Sequence, residues 1–151
     1  MAVIGQLPQS LPGLRKKVSH ISGAITLEVP HNGHVFMVTD PGDSGYTITL
    51  PSASDAGRGW HCKFINGEFG TSTLGSGDVL VNPAGADDNL DGCFINGGTN
   101  AADTVTGAGD FDTIGFDATS VHGDFIELYT DGQRWFFFGQ TAVDGGLLAA
   151  G

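Results

Sequence analysis

Phe125-Ile-Glu-Leu-Tyr-Thr-Asp-Gly-Gln-Arg-Trp-Phe-Phe-Phe138 is the stretch that decides the fold. Residues 124–130 read as a β-type run bounded by turn residues. Asp131-Gly132 follows, a two-residue hairpin signal because both central residues of such a turn need positive φ. Residues 134–138 then form the returning strand. That strand breaks the alternation, since Trp135, Phe136, Phe137 and Phe138 place bulky rings on both faces. One face of a small antiparallel sheet normally meets water. A second sheet, the N-terminal segment or a neighbouring subunit must therefore cover the other face, and these four residues are the candidate subunit interface.

Working outward, the same grammar recurs. Short β-type runs at 24–29, 34–39, 46–50, 60–66, 78–82, 93–96 and 110–116 alternate with turn residues, roughly every 8–12 positions. Tyr46-Thr-Ile-Thr-Leu50 and Trp60-His-Cys-Lys-Phe64 show the clearest period of two. The regions 68–77 and 97–109 read as loops, and no repeat of fixed period is visible. The 25 glycines and 6 prolines leave nine residues, 14–22, as the longest stretch free of both. A mean helix of about 11–12 residues does not fit such spacing. The expected fold is all-β: an antiparallel sandwich or barrel, jelly-roll-like, over residues 24–140. Residues 141–151 are expected to be a flexible or packing tail.

Residues 1–23 differ. Isolated aliphatics (Val3, Ile4, Leu7, Leu11, Leu14) alternate with Pro and Gly and run into Arg15-Lys16-Lys17. Proline fixes its own φ and drives its predecessor to extended geometry, so this segment reads as an extended arm. It holds three of the six basic residues and no acid, whereas the whole chain has a net charge of −11. An apolar, cationic arm suits docking onto a negatively charged protein surface, where charge steers and aliphatics hold; a solvated charge run is the plainer reading. The acidic remainder repels phosphate backbones and anionic membrane surfaces, so neither nucleic acid nor membrane is an expected partner. No signal-peptide pattern or membrane-length apolar run is visible, and synthesis in a cytoplasm is expected.

Few motifs suggest chemistry. Gly42-Asp43-Ser44-Gly45 matches the start of a serine-protease nucleophile motif. It has no room upstream for the base and acid that mechanism needs, and reads as a turn. Asp87-Asp88-Asn89-Leu90-Asp91-Gly92 fits the first half of a calcium loop, but Gly98 stands where the bidentate Glu belongs. Asp87, Asn89 and Asp91 are weak metal candidates, and an Asp-rich turn accounts for the same letters. His31-Asn32-Gly33-His34 reads as a hairpin turn flanked by imidazoles rather than a metal site. Cys62 alternates with Trp60 and Phe64 and reads as a buried thiol; no disulfide to Cys93 is needed. No cofactor and no enzymatic activity is expected.

Ile48-Thr-Leu-Pro-Ser-Ala-Ser-Asp-Ala-Gly-Arg-Gly-Trp60, with Phe64-Ile-Asn66, resembles β-structured modules of tailed-bacteriophage virion proteins. The similarity continues in Val79-Leu-Val-Asn-Pro-Ala-Gly and Leu90-Asp-Gly92 and ends in the 125–136 stretch. Capsid decoration (cement) proteins, head fibres and tail fibres form this group, and the resemblance implies a homotrimer without catalytic activity. The chain lacks a repetitive shaft and has a short arm, so it is most similar to decoration proteins. The resemblance then implies that residues 1–23 grip the major capsid protein on the outside of the phage head while residues 24–140 form the trimeric knob. A fibre module or a receptor- or carbohydrate-binding tip is the alternative.

Overall fold

The computed structural model describes residues 16–39, 44–67, 77–85, 90–97, 104–106 and 111–151. Its strands are β1 (Val18–Ile21), β2 (Ile25–Thr26), β3 (Val35–Val38), β4 (Tyr46–Thr49), β5 (His61–Asn66) and β6 (Val79–Asn82), then β7 (Leu90–Asn96), β8 (Thr104–Thr106), β9 (Thr113–Phe116), β10 (Phe125–Thr130), β11 (Trp135–Thr141) and β12 (Leu147–Ala150). They form two packed sheets, one of seven strands in the order β1-β3-β5-β10-β11-β7-β8 and one of five in the order β12-β9-β6-β4-β2. The all-β sandwich is therefore as expected. Among the described residues no helix is long and apolar enough to cross a membrane.

Strand direction differs from a purely antiparallel arrangement. β1, β3 and β5 run parallel in the larger sheet, and β2, β4 and β6 run parallel in the smaller one. The chain alternates between sheets as it advances, so its first six strands wind like a flattened coil. Parallel neighbours need a crossover, and here the crossover is a strand of the opposite sheet. Val18, Val35 and Lys63 align across one sheet, and Ile25, Ile48 and Val81 across the other, at unequal sequence separations. That inequality is why no fixed repeat shows. β10 then pairs antiparallel with both β5 and β11 and locks the coil to the C-terminal strands.

The corners explain the winding. Asn32-Gly33 joins strands of different sheets rather than a hairpin: residues Val29–His31 make a single 3-10 turn, and Gly33 follows at φ 76°. Asn32 Oδ1 accepts from the His61 N–H at 3.0 Å, holding this corner against β5. Between β4 and β5 lies one helical turn, α1 (Ala53–Ala56), capped by Ser52, whose hydroxyl accepts from the Asp55 N–H. The β10–β11 connection is a hairpin, but Thr130 and Trp135 are its last pair, so its loop holds four residues, not two. Asp131 Oδ1 accepts from the Gln133 and Arg134 N–H groups, and these bonds hold its carboxyl below the usual aspartate range.

Three strands fall where loop, arm or tail was expected. Val18–Ile21 lies within the expected arm yet forms an edge strand. Thr104–Thr106 pairs with β7 inside the expected loop 97–109. Leu147–Ala150 packs on β9, so the tail is part of the sandwich.

Between the sheets lies one core. Trp60, Trp135, Phe36, Phe64, Phe94 and Phe116 are its largest fully buried members. Phe36 stacks on Phe64 at 5.4 Å, and Phe94 tilts on Phe137 at 4.8 Å. At one end the Tyr46 hydroxyl lies 2.9 Å from the Ile21 carbonyl and 3.0 Å from that of Thr39, tying β1, β3 and β4 together.

Candidate functional site

Pairing registers and burial assign the residues of β3, β5, β7, β10 and β11 to one of two faces of the larger sheet. In β11, Trp135 and Phe137 point inward, while Phe136 and Phe138 stand on the outer face, 40% and 37% exposed. The four-ring run is thus split by the period of two: half is core, and only Phe136 and Phe138 are available as a subunit interface. The strand neighbours extend that outer face. Tyr129 pairs with Phe136 and Glu127 with Phe138; Lys63 pairs with Glu127 and Ile65 with Phe125. Val35 and Met37 follow on β3, and Cys93 and Ile95 on β7.

Outer faces of the two sheets differ sharply. On the smaller sheet Thr47, Thr49, Leu80, Asn82 and Leu148 take outward positions, a mixed polar and aliphatic pattern with no aromatic ring among the described residues. On the larger sheet the aromatic rings of Phe125, Tyr129, Phe136 and Phe138 and several aliphatic chains form one continuous surface. Single exposed apolar residues are normal, but a contiguous patch marks an interaction site.

Electrostatics on this face are self-contained. Lys63 Nζ lies 2.9 Å from Glu127 Oε1 and 3.8 Å from the centre of the Phe125 ring. The hydrogen bond from Lys63 holds the Glu127 carboxyl below the usual glutamate range, against the opposing effect of partial burial. Tyr129 donates its hydroxyl to Glu127 Oε2 at 2.9 Å, and that bond raises the phenol. At the rim, Arg134 pairs with Asp91 at 3.1 Å. The acids of this face among the described residues, Glu127 and Asp91, are each matched by a base.

The sequence-predicted candidates are distributed as follows. Val3, Ile4, Leu7, Leu11, Leu14, Arg15, Asp87 and Asn89 lie outside the described residues. Lys16 and Lys17 are exposed, and the Lys17 carbonyl accepts from the Val35 N–H at 2.8 Å where β1 joins the sheet. Asp91 is committed to Arg134, and no group of three or more His, Cys, Asp or Glu able to hold a metal occurs among the described residues. His31 and His34 meet edge to face at 5.3 Å. His31 Nδ1 is occupied, accepting from the Glu28 N–H, and burial, with His31 and Lys17 nearby, keeps His34 below the usual imidazole range. Ser44 lies in a shallow recess of about 320 Å³ lined by Gly45, Tyr46, Thr47, Asp78 and Leu80, with no histidine among the described residues that line it. Both cysteines are free; Cys62 is buried, which pushes its thiol well up, and Cys93 stands on the outer face.

Sequence reasoning passed over Lys63, Phe125, Glu127 and Tyr129 as members of the site. Their signal was the alternation itself: Phe125, Glu127 and Tyr129 fall on one parity of β10, opposite Ile126, Leu128 and Thr130. No protein-family model, curated protein or solved structure matches the chain.

Proposed function

We propose that this chain is a non-enzymatic structural protein of a tailed-phage virion, a homotrimeric decoration protein that binds the major capsid protein on the head exterior and stabilises the shell. The observation that carries the reading is how the cationic segment enters the fold. Lys16 and Lys17 are exposed and lead directly into β1, which lies parallel to β3 along the sheet edge. Tension on the preceding segment is borne by a row of backbone hydrogen bonds loaded in shear along the strand. A segment held this way can grip a shell while the acidic sandwich projects. Three such segments on one trimer gain from high effective concentration even where each binds weakly.

Addition of the purified protein to undecorated capsids tests the proposal. Binding at fixed stoichiometry, lost when residues 1–15 are deleted or Arg15, Lys16 and Lys17 become Glu, is the expected outcome. Undiminished binding by either variant would sink it. The exposed rings of Tyr129 and Phe136 favour one second reading, a receptor- or carbohydrate-binding tip of a fibre, in which sugars stack on the aromatics; specific retention on a glycan array would select it.

A further inference from the structure

We infer that the outer face of the seven-stranded sheet is the surface on which a second copy of this chain docks, with the Lys63–Glu127–Tyr129 cluster at the centre of that face. The inference rests on the homotrimer reading above and gives that trimer its contact surface.

Charge selects the occupant. Two copies of a chain with net charge −11 repel each other over most of their surfaces. On this face, however, Glu127 is neutralised by Lys63 and Asp91 by Arg134 within the same copy. A like-charged copy can approach here without meeting unpaired acid. The central ion pair is also prepared for burial: the ammonium already sits over the Phe125 ring, and the carboxylate already accepts from Lys63 and Tyr129. Charges paired and hydrogen-bonded before contact lose less on desolvation than free ones.

Size and shape set how the copies can meet. Seven strands spaced about 4.8 Å apart span about 29 Å, and strands of about five residues run about 17 Å. The flat footprint is roughly 500 Å², and in a closed ring it is shared between two neighbours, so each contact is smaller than the ~800 Å² per partner of a standard interface and the ring gains from its closure. The face also has two unlike halves. Phe136, Phe138 and Ile95 lie on the β11–β7 side, and Val35, Met37 and Ile65 on the β3–β5 side. A closed ring of three needs a contact between different patches on neighbouring subunits. Here the aromatic half of one copy can meet the aliphatic half of the next, with the polar cluster toward the axis.

The test uses the full chain carrying Phe136→Asp and Phe138→Asp, which adds two unpaired acids per copy to this face. Sedimentation velocity should show the wild-type assembly and a single-copy variant, with near-ultraviolet circular dichroism confirming that the buried Trp60 and Trp135 keep their packing. A folded variant that stays assembled would overturn the inference. Should the variant not fold, the wild-type protein still decides. Cys62 is buried, so a thiol reagent such as Ellman's reports on Cys93, which pairs with Phe138 across β7 and β11. Cys93 labelling should slow at least several-fold as protein concentration rises; a rate independent of concentration across the assembling range would contradict the contact. Loss of assembly in the variant while wild type ignores undecorated capsids would keep this interface and remove the capsid role. Retained assembly alongside capsid binding would do the reverse.

Discussion

Trp60 and Trp135 meet edge to face in the middle of the sandwich, ring centroids 5.3 Å apart and planes at 88°. Both are buried, yet their polar edges differ: Trp60 Nε1 donates to the Val29 carbonyl at 2.9 Å, while Trp135 Nε1 has no protein partner. Phenylalanine at either position removes comparable ring area. Only Trp60→Phe also loses a hydrogen bond, the Val29 carbonyl keeping just its bond from the Asn32 N–H, and Trp135→Phe relieves an unpaired N–H. Urea unfolding should therefore find Trp60→Phe the more destabilising by about 1–2 kcal/mol.

Asp124 ties the turn before β10 to the end of β11. Its Oδ2 accepts from the Ser120 hydroxyl, the Val121 N–H and the Thr141 hydroxyl, and its Oδ1 from the Ala142 N–H, all within 2.9 Å. Ser120 in turn accepts from Asn66 Nδ2 on β5. Asp124→Ala leaves several buried donors unpaired and should cost about 3 kcal/mol or more. Asp124→Asn keeps the volume but turns an N–H toward donors, so it should recover only part of the loss. Denaturant midpoints of the two variants check both statements.

Gly92 pairs with Phe137, and a Cβ there would run into the Phe137 carbonyl and within 2.8 Å of its ring. The obstruction is largely backbone, which cannot yield as a flexible side chain would. Gly92→Ala should separate β7 from β11 and lower the melting temperature by several degrees, on the order of 1–3 kcal/mol. Gly57→Ala is the contrasting variant: a Cβ there meets nothing within 4 Å, and its cost comes from φ 75° alone.

Acid should weaken the outer face in a defined window. Glu127 has a folded pKa below its ordinary 4.5, chiefly through Lys63. A carboxyl depressed on folding contributes stability that is complete above about 4.5 and is lost as pH falls through the lowered value. The pair is about a quarter to a third exposed, so its worth in one copy is at most about 1 kcal/mol. Melting temperatures between pH 6 and pH 3 should fall less steeply for Glu127→Gln than for wild type.

Alternation gave the inward and outward residues of β4 and β5 from the letters alone, including the buried thiol of Cys62 between Trp60 and Phe64; in β10 Phe125 and Ile126 are both apolar, so the letters alone do not say which faces in. It could not give neighbours. A period of two states which face a residue occupies but not which strand lies beside it, so the parallel pairing of β1, β3 and β5 was hidden. Asn32-Gly33 was legible as a turn, but the same turn chemistry serves a hairpin and a passage between sheets. Val18–Ile21 was masked by the Pro-rich, basic residues before it, and Thr104–Thr106 by its brevity. For the site, Phe136 and Phe138 were named from their position in the ring run. Lys63 and Glu127 were not, because 64 residues separate them and only the β5–β10 register brings them together.

Mass in solution bears most directly on the central claim, that this sandwich is a self-associating structural module with its neutral aromatic face turned inward. Sedimentation equilibrium of the full chain at neutral pH should return three times the 15.6 kDa of one copy. A mass of one copy at concentrations up to tens of micromolar would contradict it.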